Sequence, residues 1–218
     1  MVKEEELIEL AHPEYWNERY TAEQKAEEDG NKTLDSYEWF RTFEALRPFF
    51  AKHLPHPPND SHILHLGCGN STLTADLHAL GYTNQTSVDF SQVVIDAMKA
   101  KYSSLDSRWC VMDVRQLELN NKSVDVAIDK ATLDAMIHGS LWDPPDDVRS
   151  NVGKYVDEVA RVLRPGGQWL YITYRQPHFM KPLLAREKLW TLEVENLSEG
   201  PGSFDYFGFI MKRHEKVD

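Results

Sequence analysis

Two cysteines in 218 residues, Cys68 and Cys110, are too few and too isolated for a disulfide framework. Both sit in apolar segments and read as small buried hydrophobes in a reducing compartment. A cytoplasmic protein is therefore expected, with the nucleus as the other option. No apolar run approaches the ~20 residues of a membrane span, so no membrane partner is expected. The opening Met1-Val2-Lys3-Glu4-Glu5-Glu6 is too polar for a secretory or transit leader. Basic residues are also scarce, with 24 Lys and Arg against 35 Asp and Glu and a formal charge of −11. That balance argues against nucleic acid as the main partner and tilts toward a basic protein surface. No G-x-x-x-x-G-K-[ST] phosphate loop occurs, and the nine histidines include no H-E-x-x-H or other metal-spaced group. No metal is expected. Internal repeats and low-complexity tracts are lacking as well.

What is present is alternation. At this length one α/β domain with a sizeable core fits better than two. Residues 1–58 read as an N-terminal helical extension of that domain, and residues 59–218 as its sheet-bearing core. A polar amphipathic helix is expected over residues 13–29, broken at Asp29-Gly30-Asn31. A second is expected over residues 36–53, with Trp39, Phe40, Phe43, Leu46, Phe49 and Phe50 on its apolar face. Pro48 should kink that helix or end its first part. Strands are expected at residues 63–66, 86–88, 108–112, 124–128 and 169–173. Helices between them fall at residues 73–80, 92–102, 131–137 and 152–163, the last stopped by a turn at Arg164-Pro165-Gly166-Gly167. Such alternation calls for an α/β fold, a parallel sheet covered by helices on both faces. Residues 189–194 and 204–211 follow as strands with only a turn between them, so they should pair antiparallel.

Chemistry concentrates where the first strand ends. Ile63-Leu64-His65-Leu66-Gly67-Cys68-Gly69-Asn70-Ser71 reads as a buried strand running into a glycine turn, with Asp89 closing the next strand. That layout suits a nucleoside-bearing cofactor across the carboxyl ends of a parallel sheet. Gly67 and Gly69 let the backbone turn and leave no side chain between main chain and ligand. Asp89 then stands where a carboxylate accepts from both ribose hydroxyls. The dinucleotide spacing G-x-G-x-x-G fails at its last glycine, where Thr72 stands, which weakens the case for NAD.

A G-x-G turn followed by a small residue is similar to the first motif of class I S-adenosylmethionine-dependent methyltransferases. The chain resembles them through most of its length. The motifs are Leu66-Gly67-Cys68-Gly69-Asn70-Ser71, Ser87-Val88-Asp89-Phe90-Ser91, Met112-Asp113-Val114-Arg115, Asp125-Val126-Ala127-Ile128-Asp129-Lys130 and Leu163-Arg164-Pro165-Gly166-Gly167. It most closely resembles the subgroup containing the lysine methyltransferases of translation elongation factor 1-alpha. That likeness lies in Glu14-Tyr15-Trp16-Asn17-Glu18-Arg19-Tyr20, Tyr37-Glu38-Trp39-Phe40 and Asp129-Lys130-Ala131-Thr132-Leu133-Asp134-Ala135.

The resemblance implies a Rossmann-like seven-stranded methyltransferase sheet, mostly parallel, with an antiparallel C-terminal hairpin. It implies S-adenosyl-L-methionine as cofactor, S-adenosyl-L-homocysteine as product, and a protein substrate with an accessible lysine, elongation factor 1-alpha being the candidate. Gly67 would offer its carbonyl to the cofactor's ammonium group, and Gly69 would give the chain room to pass. Lys130 would contact the methionine part, through its main chain at least as much as its ammonium; a solvated lysine is the other reading. Trp16 and Tyr20 would donate to the cofactor carboxylate, and Trp39 would wall the methionine end. Arg19 would serve as a salt-bridge partner. Phe90 would lie against the adenine ring, Asp113 would accept from its amino group, and the Val114 N–H would donate to the neighbouring ring nitrogen. The N-terminal helices would form a lid.

The acceptor side carries fewer signals. Amide and adenine N-methyltransferases of this fold place an Asn/Asp-Pro-Pro-aromatic motif where this chain has Asp129-Lys130-Ala131-Thr132. That difference argues against those acceptors. Asp129 or Asp134 is expected to orient an incoming lysine amine, with Asp143, Asp146 and Asp147 attracting it. A small-molecule acceptor, or an idle cofactor-binding partner subunit, are the alternatives on the same fold. In-line transfer from an activated sulfonium needs alignment and exclusion of water more than a dedicated general base.

Overall fold

The computed structural model of the chain describes residues 8–30, 36–57, 60–198, 200 and 202–215. Seven strands form one sheet: β1 (Ile63–Leu66), β2 (Gln85–Asp89), β3 (Ser107–Val111), β4 (Val124–Lys130), β5 (Leu163–Thr173), β6 (Trp190–Asn196) and β7 (Phe207–Arg213). Their order is β3-β2-β1-β4-β5-β7-β6. Strands β1 to β5 pair in parallel, and β7 runs antiparallel between β5 and β6. The helices are α1 (Pro13–Glu28), α2 (Phe43–His53), α3 (Leu73–Ala79), α4 (Gln92–Lys101), α5 (Asp146–Val162) and α6 (Pro177–Leu184), with a 3-10 turn at Leu133–Met136. The α/β class, the mainly parallel sheet and the antiparallel C-terminal pair are as expected.

All four residues of β1 are buried, because helices cover both faces of the sheet. Side chains alternate along a strand, so Leu64 and Leu66 join one core while Ile63 joins the other. The first core contains Val152, Tyr155, Val156 and Val159 of α5; the second contains Leu46, Phe49 and Phe50 of α2. Each such aliphatic side chain contributes about 1.5–3 kcal/mol by leaving water. His65 shares the buried strand, where its Nε2 meets Gln85 Oε1 at 2.6 Å. Burial pulls its pKa down to about 4, so the ring stays neutral. Strand β2 hands over to α4 through Ser91, whose hydroxyl accepts from the Val94 N–H at 3.5 Å.

Several boundaries differ from expectation. Helix α2 starts at Phe43, capped by the Thr42 hydroxyl on the Ala45 N–H, and residues 36–42 are a strap without helix. Phe40 in that strap has φ 63, which no right-handed helix allows. Pro48 lies inside an unbroken α2; it and Glu44 are exposed, so the forfeited bond to the Glu44 carbonyl lies on the water side. Ala131 has φ 81, so the expected helix at 131–137 shrinks to the 3-10 turn. Helix α5 starts six residues early because Asp146 and Asp147 in its first turn favour a helix N-terminus. The stop at residues 164–167 belongs to β5, with a register shift between Val124 and Val126 of its partner. Helix α6 has no counterpart among the expected elements; Pro177 starts it and Pro182 lies within it. The hexapeptide Met1–Glu6, Asn31 of the first break, and residues 199 and 201 of the C-terminal turn lie outside the described residues.

Candidate active site

One pocket opens at the carboxyl ends of β1, β2 and β4, where the connections that follow β1 and β4 run in opposite directions. Its floor is the glycine turn. Gly67 has φ +63, and a Cβ there would lie 2.2 Å from Thr132 Oγ1, so nothing larger fits. Thr132 holds that position because its hydroxyl donates to the Leu66 carbonyl at 2.7 Å. Gly69 has φ +51, and a Cβ there would meet Tyr20 Oη at 3.0 Å. Its N–H donates to Asp89 Oδ2 at 3.0 Å, while Asp89 Oδ1 accepts from the Ser91 N–H at 3.0 Å. Burial pushes the Asp89 carboxyl up to about 6, against the pull of those backbone amides. Each oxygen keeps further acceptor capacity.

The N-terminal segment forms the cover. Trp16 and Tyr20 of α1 pack with Val94, Ile95 and Met98 of α4. Asn17 Oδ1 accepts from the Ser91 hydroxyl at 2.6 Å, and Glu23 from Asn70 Nδ2 at 3.2 Å. Burial, then the Asp89 charge, raise the Tyr20 phenol well above its ordinary value, so it stays a hydroxyl donor. The Trp16 indole N–H is already committed to the Leu10 carbonyl at 2.8 Å. The expectation that it donates to a cofactor carboxylate is therefore corrected: Trp16 lines the pocket with its ring. Trp39 stands edge-on to Trp16 at 6.0 Å. Arg19 pairs with Glu23 at 3.1 Å, and its guanidinium lies 5.2 Å from the Trp39 ring.

Glu38 ties cover to floor, and the sequence reading assigned it no role. Its carboxylate accepts from the Thr72 N–H at 2.7 Å, the Ser71 hydroxyl at 2.9 Å and Lys130 Nζ at 2.6 Å. Lys130 also donates to the Trp39 carbonyl at 3.1 Å. Burial pulls the Lys130 ammonium down while the Glu38 charge opposes that shift. The solvated-lysine reading is thus set aside, since the side chain is 6% exposed. An acid between the aromatics Tyr37 and Trp39 was the available signal for this hub.

The neighbouring carboxylates separate. Asp134 lines the pocket and accepts from Tyr171 Oη and Thr173 Oγ1, each at 2.7 Å, and from Arg175 Nε at 3.0 Å. Burial raises its carboxyl, and the Arg175 charge counters that. Asp129 does not line the pocket. It is fully buried, accepting from the Thr132 N–H at 2.8 Å, the Leu133 N–H at 3.1 Å and Tyr155 Oη at 2.8 Å. Its expected role on the acceptor amine is corrected to holding the 3-10 turn. Asp113 is also off the pocket wall: both oxygens are taken by Arg115, at 2.6 Å on Oδ2 and 2.8 Å from the Arg115 N–H on Oδ1. An adenine contact there would share those oxygens with Arg115. Phe90, Met112 and Val114 do line that end, Met112 being unforeseen. Asp143 pairs with Arg149 and Asp147 with His138, and neither they nor Asp146 line the pocket. Tyr174 and Arg175 complete the wall beside Asp134, which no motif had marked.

The wall fits a phosphate-free nucleoside. Its two cations, Lys130 and Arg175, are spent on Glu38 and Asp134, and Thr72 stands where a pyrophosphate turn has its last glycine. Among the described residues no group of three His, Cys, Asp or Glu could hold a metal. Cys68, on the wall, and Cys110 are free thiols and half-buried, less enclosed than expected. No described helix is long and apolar enough to cross a membrane.

Comparison with known proteins agrees with this geometry. A family model described as a methyltransferase domain matches residues 64–171. The chain is 37% identical over 204 residues to EEF1A lysine methyltransferase 4 of Mus musculus, covering 92% of this chain and 74% of that protein. It is 31% identical over 195 residues to the eEF1A lysine and N-terminal methyltransferase of Bos taurus, covering 84% of this chain and 27% of that longer one. In structure it resembles the N-methyltransferase NodS from Bradyrhizobium japonicum WM9 in complex with S-adenosyl-l-homocysteine. The TM-score is 0.56 at 15% identity, over 78% of this chain and 84% of that one, a likeness of fold alone. Sheet order, glycine turn and acid together define a class I S-adenosylmethionine-dependent methyltransferase. Within that class the chain belongs to the family of the eEF1A lysine methyltransferases.

Proposed function

We propose that the protein transfers a methyl group from S-adenosylmethionine to a lysine side chain of a protein, with eEF1A as the first candidate. The observation that carries this reading is the pocket lining, which holds Tyr37, Trp39, Phe40 and Tyr174 together with a carboxylate besides Asp89, that of Asp134. Aromatic walls suit the four-carbon stem of lysine, and the exclusion of water between them favours the uncharged amine. Asp134, held by Tyr171, Thr173 and Arg175, orients that amine. S-adenosylmethionine, when bound, supplies an activated sulfonium methyl, so the protein's work is alignment and exclusion of water.

The roles of the lining residues follow from their chemistry. Asp89 takes the ribose hydroxyls, and Phe90, Met112 and the Val114 main chain take the adenine. Gly67 and Gly69 admit the methionine part, whose carboxylate meets the Tyr20 hydroxyl, and Trp39 walls its sulfonium. Lys130 contributes its main chain, because its ammonium serves Glu38. Residues 8–30 and 36–42 close over the cofactor as a lid, whereas α2 packs on the sheet as part of its core. A cytoplasmic setting belongs to the same proposal, which the free thiols accommodate. The test is incubation with methyl-labelled cofactor, recombinant eEF1A and a whole-cell extract, with the labelled species sized and the labelled protein mapped by peptide mass spectrometry. Label on one lysine is expected. Label only on molecules below protein size would replace this reading with a small-molecule acceptor.

A further inference from the structure

Trp142 is the most exposed of the large apolar side chains described, at 82%. Its ring is nonetheless supported, edge-on against Phe179 at 4.8 Å and beside His178 at 5.8 Å. Both supporting segments leave the pocket directly. Trp142 follows the 3-10 turn whose Asp134, Ala135 and Met136 line the pocket, and α6 follows the lining pair Tyr174 and Arg175. Arg175 joins the two, donating to the Ile137 carbonyl at 2.9 Å. The aromatic patch therefore stands on the two segments that leave the pocket wall.

Its surroundings are acidic. Across residues 138–149 stand Asp143, Asp146 and Asp147, with Arg149 the only Lys or Arg. Arg149 is paired with Asp143, and His138 meets Asp147 at 2.9 Å. Asp146 has no ion pair among the described residues. Lys181, one turn along α6, is the nearest further cation in sequence on that helix.

We infer that Trp142, seated on His178 and Phe179, is a second docking point for the protein substrate, occupied by a basic segment near the target lysine that lays an apolar side chain on the indole. The inference rests on the proposed protein-lysine acceptor. An indole left in water gains by being covered, and tryptophans dominate the energetic centres of interfaces. Charge selects the occupant, since carboxylates around the indole steer a lysine- or arginine-rich surface and repel an acidic one. The overall charge of −11 acts in the same direction.

The test uses the full chain with recombinant eEF1A as acceptor and direct binding measured beside turnover. Trp142→Ala is expected to raise KM for the protein and weaken binding about tenfold, with kcat changed less than twofold and cofactor affinity retained. Asp146→Asn should raise KM about two- to threefold, an effect that fades at high salt. Sedimentation of parent and variant checks the competing occupant, a second copy of the chain. Unchanged KM and binding in a folded Trp142→Ala variant would overturn the inference. So would a parent dimer that this substitution dissolves. If the parent labels no lysine of eEF1A, the proposed function fails first and takes the named occupant with it.

Discussion

The floor of the pocket and its cover are held by different physics. The floor is backbone: Gly67 and Gly69 at positive φ, with Gly69 and Ser91 N–H groups on Asp89. The cover is side chains reaching across long stretches of sequence, with Glu38 on Lys130 and Thr72, Asn17 on Ser91, and Glu23 on Asn70. A floor built from main chain tolerates no added atom. A cover built from side chains can lose a contact and still leave the sheet intact.

That contrast sets an order of effects. Gly67→Ala attacks the floor, where its Cβ would sit 2.2 Å from Thr132 Oγ1 at an unfavourable φ. It should cost about 3 kcal/mol or more of stability, read by chemical denaturation. Glu38→Ala attacks the cover and strands a buried Lys130 ammonium. About 2–4 kcal/mol should be lost, concentrated in the N-terminal segment, and hydrogen exchange will show whether α1 loosens before the sheet. Uniform loosening would erase the distinction between the two regions.

Asp89→Ala keeps the glycines and the cover but frees the Gly69 and Ser91 N–H groups of the floor and removes the proposed ribose ligand. Cofactor affinity should fall by about 1.5–3 kcal/mol, measured by calorimetry. The same carboxyl predicts a pH dependence. Its folded value, about 6, stands above the ordinary 3.8, so its contribution to fold stability is fullest in acid and is lost as pH rises through about 6. On the proposed ribose contact, cofactor affinity runs the opposite way, because the ionised form would accept from both hydroxyls. Going from pH 7.5 to 5 should weaken binding roughly five- to tenfold, and Asp89→Asn should flatten that dependence. The smallest effect belongs to Tyr20→Phe. Losing one hydroxyl should cost about 0.5–1.5 kcal/mol of cofactor affinity. Equal binding by parent and variant would remove the carboxylate contact while leaving the cover in place.

Much of the floor was legible because its determinants are local. A four-residue apolar strand, two glycines and an acid at the next strand end sit within 27 residues, 63–89, and backbone sterics alone require the glycines. Alternation of apolar runs likewise dictated an α/β sheet with its antiparallel end. Tertiary structure decided the rest. Asp89 and Asp134 reach the pocket, while Asp113 is turned to Arg115 and Asp129 to Tyr155. Nothing in the chain around Asp129 and Asp134 says which one packs inward; the Ala131 turn and the partners on β5 and α5 choose. The Lys130 ammonium, read from sequence as a cofactor contact or a solvated charge, crosses to Glu38, 92 residues away. Local sequence determines backbone conformation, but the partner of a buried charge is whichever group the assembled fold brings within reach before water is lost.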